Sequence, residues 1–283
     1  MPNKISLELG EVQKTLLLPL WGRAVESQRP HPRLIDKTAV DIIRDIDFDF
    51  AALTKNISSI TRATWIQRSL YADSAVKKFL AENPTAAVVN VGCGLDTTFD
   101  RVDNGKVLWY DLDLPDVIKL RLNFICESAR RKFIACSVLN EDWTDEVPDD
   151  TKVMFLAAGV LYYFPEPEIR SLIRRLADRF PCSELVFDAA SPRGVKLANK
   201  VVIKKSGMDD RSFLRWGIEN AKEMESWDSR ISVVDQMPIF RDLRQQLAPW
   251  KRVGPFISDI LKIQFMVHLR FSELWCDTSL TQD

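Results

Sequence analysis

Two histidines, His31 and His268, are all this chain of 283 residues holds, and its five cysteines form no Cys-x-x-Cys pair. Neither residue type is therefore supplied at the density or spacing of a zinc site. Cys93, Cys126, Cys136, Cys182 and Cys276 are odd in number and scattered, and read as buried free thiols of a reducing compartment rather than as disulfides. His268 falls in an apolar strand pattern and reads as structural, which leaves His31, between two prolines, as a weak candidate base. No apolar run reaches the roughly 18 residues that a membrane span requires, and no basic stretch leads into an apolar segment of signal length. A cytoplasmic protein without membrane contact is expected. Nor does one sign of charge prevail: the net charge of -1 gives no field that would gather nucleic acid or anionic lipid. Repeats, low-complexity tracts and linkers are absent, so residues 1–283 read as one domain with helical additions.

What is present begins at Val88-Val89-Asn90-Val91-Gly92-Cys93-Gly94-Leu95-Asp96-Thr97, an apolar β-branched run ending in two glycines and an acid. Such a run suits a buried parallel strand, and the glycines permit a sharp turn with close approach of backbone to a ligand. Asp113 closes a second strand-like run, Val107 to Leu112, where a carboxylate can accept hydrogen bonds from both ribose hydroxyls of an adenine nucleotide. A tight turn in any α/β protein is also compatible with the glycines alone; the second acid favours a nucleoside. The dinucleotide fingerprint wants a third small residue where this chain has Thr97, and Asp96 at the helix start would repel a phosphate. S-adenosylmethionine, an adenosine with an amino-acid tail and no phosphate, fits better, with NAD as the alternative.

Taken in order, residues 1–60 read as a helical cap that is either a solvated face or a cover over the site. It carries the polar cluster Trp21-Gly22-Arg23-Ala24-Val25-Glu26-Ser27-Gln28-Arg29-Pro30. A helix holding Arg62, Arg68 and Asp73 stops before Asn83-Pro84 and leads into the glycine strand, which places Arg68 above the glycine loop as a partner for a carboxylate. After a helix begun by Pro115, strands are expected over 133–137, 152–158 and 184–190, with a helix over 166–180 between the last two. Val138 to Trp143 would offer apolar surface for an adenine, and the small residues Ala157-Ala158-Gly159 allow close approach of a ligand. Over 191–232 the alternation stops. Lys196 to Lys205 read as a basic helix, and Met208, Phe213, Trp216, Met224 and Trp227 either pack an inserted helical pair or line a lid. A helix over 237–247 and strands over 250–253 and 260–271 complete a doubly wound α/β sheet, with 61–190 as the cofactor-binding core and 233–283 as its C-terminal part.

The stretches VVNVGCGLDTTFDRV, WYDLDLPDV, AAGVLYYFPEPEIRSLIRRLADRFP and ELVFDAASP, with TLLLPLWGRAVESQRPHPRLIDKTA before them, resemble the leucine carboxyl methyltransferase family, most of all its polyketide O-methyltransferase branch. The resemblance implies a Rossmann-like class I methyltransferase: a seven-stranded, mostly parallel sheet with an antiparallel last strand, a helical cap and a helical insertion after the fifth strand. It assigns Arg68 to the methionyl carboxylate, Gly92 and Gly94 to the cofactor loop, Asp113 to the ribose, and Ser137 and Val138 to the positions beside the adenine; Cys93, Asp96, Leu114, Ala158 and Gly159 complete the set expected around the cofactor. Where the protein phosphatase branch has a glutamate this chain has Ala158, which removes one cofactor contact and argues against a phosphatase substrate.

An S-adenosylmethionine-dependent O-methyltransferase is thus expected, acting on a carboxylate or phenolic oxygen of a small apolar metabolite. Arg23, steadied by Glu26, would orient the acceptor, and Tyr162 would touch it. No triad is demanded, because the sulfonium is already an activated donor. A protein C-terminal carboxyl methyltransferase and a noncatalytic binding protein on the same fold are the alternatives.

Overall fold

The computed structural model describes residues 5–6, 11–200 and 213–273. Its seven-stranded sheet runs β5 (Arg131–Ala135), β4 (Leu108–Asp113), β3 (Ala87–Val91), β6 (Val153–Ala157), β7 (Glu184–Ala189), β9 (Phe265–Phe271), β8 (Ile231–Pro238). The first five are parallel and β9 runs antiparallel to both of its neighbours. Every residue of β3 and β6 is buried, as helices on both faces require, so β6 is a continuous apolar run and β3 is one apart from Asn90, rather than alternating.

Each face has its own core. On one, α4 (Ser59–Glu82) and α9 (Arg241–Gln246) lay Val76, Phe79, Leu80 and Leu243 on Val88, Met154, Val186 and Met266. On the other, α7 (Glu166–Arg179) lays Ile169, Leu172, Ile173 and Leu176 on Val89, Phe155, Phe187 and Val267. Order reverses between β4 and β6 on either side of β3, which puts the crevice for a ligand at the carboxyl end of β3. Over that end sit α1 (Glu11–Ser27) and α2 (Lys37–Asp45), whose Leu17, Leu20, Ala24 and Ile42 pack with Leu95, Leu120 and Ile125.

Several expectations are corrected. Met237 belongs to strand β8, not to a helix, and only Arg241–Gln246 of the expected 237–247 helix forms. The strand escapes a period-two reading because the pairing shifts register between Val233 and Asp235, and because this edge strand carries Asp235 and Gln236. Residues 250–253 are no strand: a 3-10 turn, Pro249–Lys251, leads into helix α10 (Val253–Ile260), and β9 begins only at Phe265. A pair of two-residue strands, β1 (Ile5–Ser6) and β2 (Ile46–Asp47), was not foreseen in the cap.

After β7 the chain forms α8 (Pro192–Ala198), capped by Ser191; the rest of the expected basic helix, and Met208, lie largely outside the described residues. Trp216, Met224 and Trp227 are buried against the α7 face and do not face a pocket, so they are core and not lid. Trp143 likewise stacks on Phe180 in the core instead of offering a face to adenine. Of the described thiols only Cys93 is buried; Cys126 is exposed.

Candidate active site

The loop after β3 can be built only with glycines. Gly92 has φ +60 and a Cβ there would come 2.4 Å from Val160 Cγ2; Gly94 has φ +45 and its Cβ would come 2.9 Å from Leu16 Cδ2. The backbone N–H of Gly94 donates to Asp113 Oδ2 (2.7 Å) and that of Leu114 to Asp113 Oδ1 (2.8 Å). Burial pushes the Asp113 carboxyl up, opposed by these two N–H groups, and each oxygen keeps a lone pair for a ligand. Beneath the loop, Arg121 joins the Gly94 carbonyl (2.8 Å) to the fully buried Asp111 (2.8 Å), which also accepts from Arg131 (2.9 Å) and Asn90 (3.0 Å). Burial also pushes the Cys93 thiol well up, so it stays protonated.

A second anchor descends from the cap. Asp36 caps α2 through the Ala39 N–H (2.9 Å), while its Oδ2 accepts from Arg23 Nε (2.8 Å), Thr97 Oγ1 (2.5 Å) and Arg101 Nη1 (2.9 Å). Arg101 also holds Asp73 with two bonds (2.7 and 2.8 Å). Arg23 Nη2 donates to the Leu95 carbonyl (3.0 Å), so this arginine clasps the loop. The expected Arg23–Glu26 pairing is overturned: the 0% exposed Glu26 accepts from Arg29 (3.0 Å) and from Arg33 (2.9 Å). Burial opposes its ionisation, yet those hydrogen bonds hold its pKa down to about 2. Asp96 accepts from the Thr98 N–H (2.9 Å) and has Arg23 Nη1 at 4.0 Å. Burial works against its charge, but Arg23 and Arg101 keep it well below the usual carboxylate range.

Opposite the loop, Gly159 (φ +85) passes under Arg68, whose Nη1 would lie 2.8 Å from a Cβ at that position. The same Nη1 donates to Asp188 Oδ2 (3.2 Å) and Tyr162 Oη (3.4 Å), and Asp188 is fixed by the Gly159 N–H (2.5 Å) and by Gln264 Nε2 (2.5 Å). Nε and Nη2 of Arg68 hydrogen-bond no described residue, so one edge of the fork is available to a carboxylate. Burial pushes the Tyr162 phenol well above its ordinary range, so it stays neutral.

One cavity of about 750 Å³ gathers all of these: Arg23, Arg68, Gly92, Cys93, Gly94, Asp96, Asp113, Leu114, Ser137, Val138, Ala158, Gly159 and Tyr162 line it. Its other walls come from α1, α4, α8 and α10 and are largely apolar, among them Leu18, Ile60, Trp65, Leu197, Leu214 and Ile257. Among the described residues, the only carboxylates lining it are Asp96 and Asp113. Neither histidine does: His31 is exposed, and His268 pairs with Glu184 (2.7 Å) between β9 and β7. No group of three or more potential metal ligands occurs among the described residues. Sequence reasoning missed Asp36, Arg101, Arg121, Asp111, Asp188 and Gln264. For Asp36 an N-cap signal was present in Leu34-Ile35-Asp36-Lys37-Thr38-Ala39.

The sheet order, the glycine cradle over its switch point and the acid at the end of β4 define a class I S-adenosylmethionine-dependent methyltransferase. The leucine carboxyl methyltransferase family model matches residues 17–177, and the chain belongs to that family. It is 33% identical over 268 residues to the tetracenomycin polyketide synthesis O-methyltransferase TcmP of Streptomyces glaucescens, covering 92% of this chain and 96% of the relative. It is 28% identical to the S-adenosyl-L-methionine-dependent methyltransferase dpfgK of Gibberella zeae, with 85% and 86% covered. Among solved structures, an S-adenosylmethionine-dependent methyltransferase of Mesorhizobium loti superposes with a TM-score of 0.52 at 13% identity, covering 70% of this chain and 96% of the other. A DUF574-family protein of Streptomyces avermitilis does so with 0.53 at 13% identity, covering 91% and 97%.

Proposed function

We propose that this methyltransferase acts on an oxygen of a small, largely apolar, polyketide-like acceptor, and on a carboxylate in preference to a phenol. The observation that carries this reading is the make-up of the cavity among the described residues: largely apolar walls, with no histidine and no acid apart from the two at the cofactor loop. A carboxylic acid, with a reference pKa near 4, arrives already ionised, whereas a phenol, near 10, needs its proton removed. The family relation to TcmP, a polyketide synthesis O-methyltransferase, supports the acceptor class.

When bound, S-adenosylmethionine supplies a methyl group already activated by its sulfonium. The residues of this chain then bind, align and exclude water. Asp113 accepts from the ribose hydroxyls, with its carboxylate pre-aimed by the Gly94 and Leu114 N–H groups. The open edge of Arg68 would take the methionyl carboxylate as a fork, and Asp96 would supply the ammonium with the anionic contact that Ala158 cannot make. Ser137 and Val138 flank the adenine. Tyr162 and Arg23 serve as positioning groups, one bonded to Arg68 and the other to the Leu95 carbonyl.

The test is to incubate the protein with S-adenosylmethionine and a polycyclic aromatic carrying both a carboxylic acid and a phenol, and to locate the new methyl group by mass spectrometry. A methyl ester is expected. Methyl ether alone, or no product from any aromatic acid, overturns the reading.

A further inference from the structure

Helix α10 is inside out. Its apolar residues Val253, Phe256, Ile257 and Ile260 recur at i, i+3, i+4 and i+7, the stripe that ordinarily faces a core, yet all four are exposed, Ile260 at 61%. Buried in their place are Pro255 and the carboxylate of Asp259, 7% exposed, which accepts from the Phe240 N–H (3.0 Å) and has Arg244 at 2.9 Å. The turn before the helix adds Trp250, 76% exposed, followed by Lys251 and Arg252.

Basic groups ring this stripe. Residues 241–262 hold five, Arg241, Arg244, Lys251, Arg252 and Lys262, against Asp242 and Asp259, in a chain whose net charge is -1. Arg241, Arg244, Gln245, Arg252, Val253 and Phe256 enclose a second cavity of about 380 Å³, three guanidinium groups beside an apolar wall. Arg244 stacks on the Phe256 ring at 5.3 Å. Arg252 Nε donates to the Leu247 carbonyl (2.7 Å), and the two terminal nitrogens of that guanidinium have no partner among the described residues. Phosphate oxygens beside acyl chains fit such a recess. On its other side the stripe reaches the large cavity, because Gly254, Ile257 and Ser258 of the helix and Leu261 just after it line that cavity.

We propose that α10 and the turn before it dock on an anionic phospholipid surface, with Trp250 and the Val253–Ile260 stripe in the headgroup boundary and Arg241, Arg244, Lys251 and Arg252 on the phosphates. A second copy of this chain is a poorer occupant, since a two-fold contact would bring the basic ring against itself. The sequence-wide charge concealed this local excess. If the proposed function holds, an apolar acceptor dissolved in the bilayer would reach the cavity across Ile257 and Leu261 without crossing water; docking itself does not depend on that reading.

Flotation of the full chain with vesicles of phosphatidylcholine alone, or of phosphatidylcholine with phosphatidylglycerol, tests it without any methyl transfer. The chain is expected to float with the anionic vesicles only, and less as ionic strength rises. Ile260→Glu, and separately Lys251→Glu with Arg252→Glu, should lower the bound fraction at least about tenfold while melting temperature and S-adenosylmethionine affinity stay as in the wild type. Absence of the wild type from anionic vesicles overturns the proposal, as does flotation indifferent to both variants. A dimer that Ile260→Glu dissociates in sedimentation, with no flotation, reassigns the face to a contact between copies.

Discussion

Asp113, proposed above to hold the ribose, is a side chain fixed in place by the fold itself. Its two oxygens are already fixed by backbone N–H groups from separate loops, so removing the carboxylate takes away the ligand contact without opening the core. Asp113→Ala should weaken S-adenosylmethionine binding by about ten- to a hundredfold, the loss of a charge-assisted hydrogen bond worth roughly 1.5–3 kcal/mol. Calorimetric titration of a variant that melts like the wild type checks this, and unchanged affinity would remove Asp113 from the site. Arg68 permits a sharper experiment, since one edge of its guanidinium is spent on Asp188 and Tyr162 and the other is open. Arg68→Lys keeps the charge and loses the fork. Decarboxylated cofactor should bind the wild type poorly and this variant with little further loss; an equal penalty in both proteins contradicts the pairing.

At the scale of elements, α1, α2 and the glycine loop meet at Asp36. Asp36→Ala leaves Arg23 and Arg101 buried without their shared carboxylate, a loss on the order of 3 kcal/mol for a broken buried pair, so the melting temperature should drop by several degrees and cofactor affinity with it. An Asp36→Ala protein that melts like the wild type would show the junction to be ornamental. Glu26 ties the end of α1 to the chain after it, through Arg33 and Arg29. Its folded pKa of about 2 lies below the ordinary 4.5, so it contributes stability above pH 4.5 that is lost as pH falls toward 2. Urea midpoints measured across that window should fall less steeply in Glu26→Gln than in the wild type.

What the sequence disclosed follows from how local each element's cause is. Gly92, Gly94 and Asp113 could be read directly because a tight turn and a strand end are written in consecutive residues. Asp188 could not, because Arg68, Gly159 and Gln264 reach it from three distant segments. Strand β8 hid behind its bulge. Helix α10 went unread: the expected strands over 250–253 and 260–271 reach only its two ends, because Val253 and Ile260 on an outward face fit a pleated pattern when burial is unknown.

For the whole molecule, the pH dependence of turnover separates the two acceptor chemistries. With a carboxylic acceptor kcat should be level between about pH 6 and pH 8, since the reacting oxygen is ionised throughout, whereas a phenolic acceptor should gain about tenfold per pH unit there. A steep rise with an aromatic acid would require a base that the described residues of the cavity wall do not supply.

The four-way junction at Asp36 also governs how this architecture can be recombined. Because the helical cap and the glycine loop proposed to cradle the cofactor share one carboxylate, a relative's cap cannot be grafted onto this sheet as an independent module. A chimera cut anywhere between residues 28 and 90 must carry a matching set of Arg23, Asp36, Thr97 and Arg101, or the exchange meant to alter acceptor choice will first forfeit the donor.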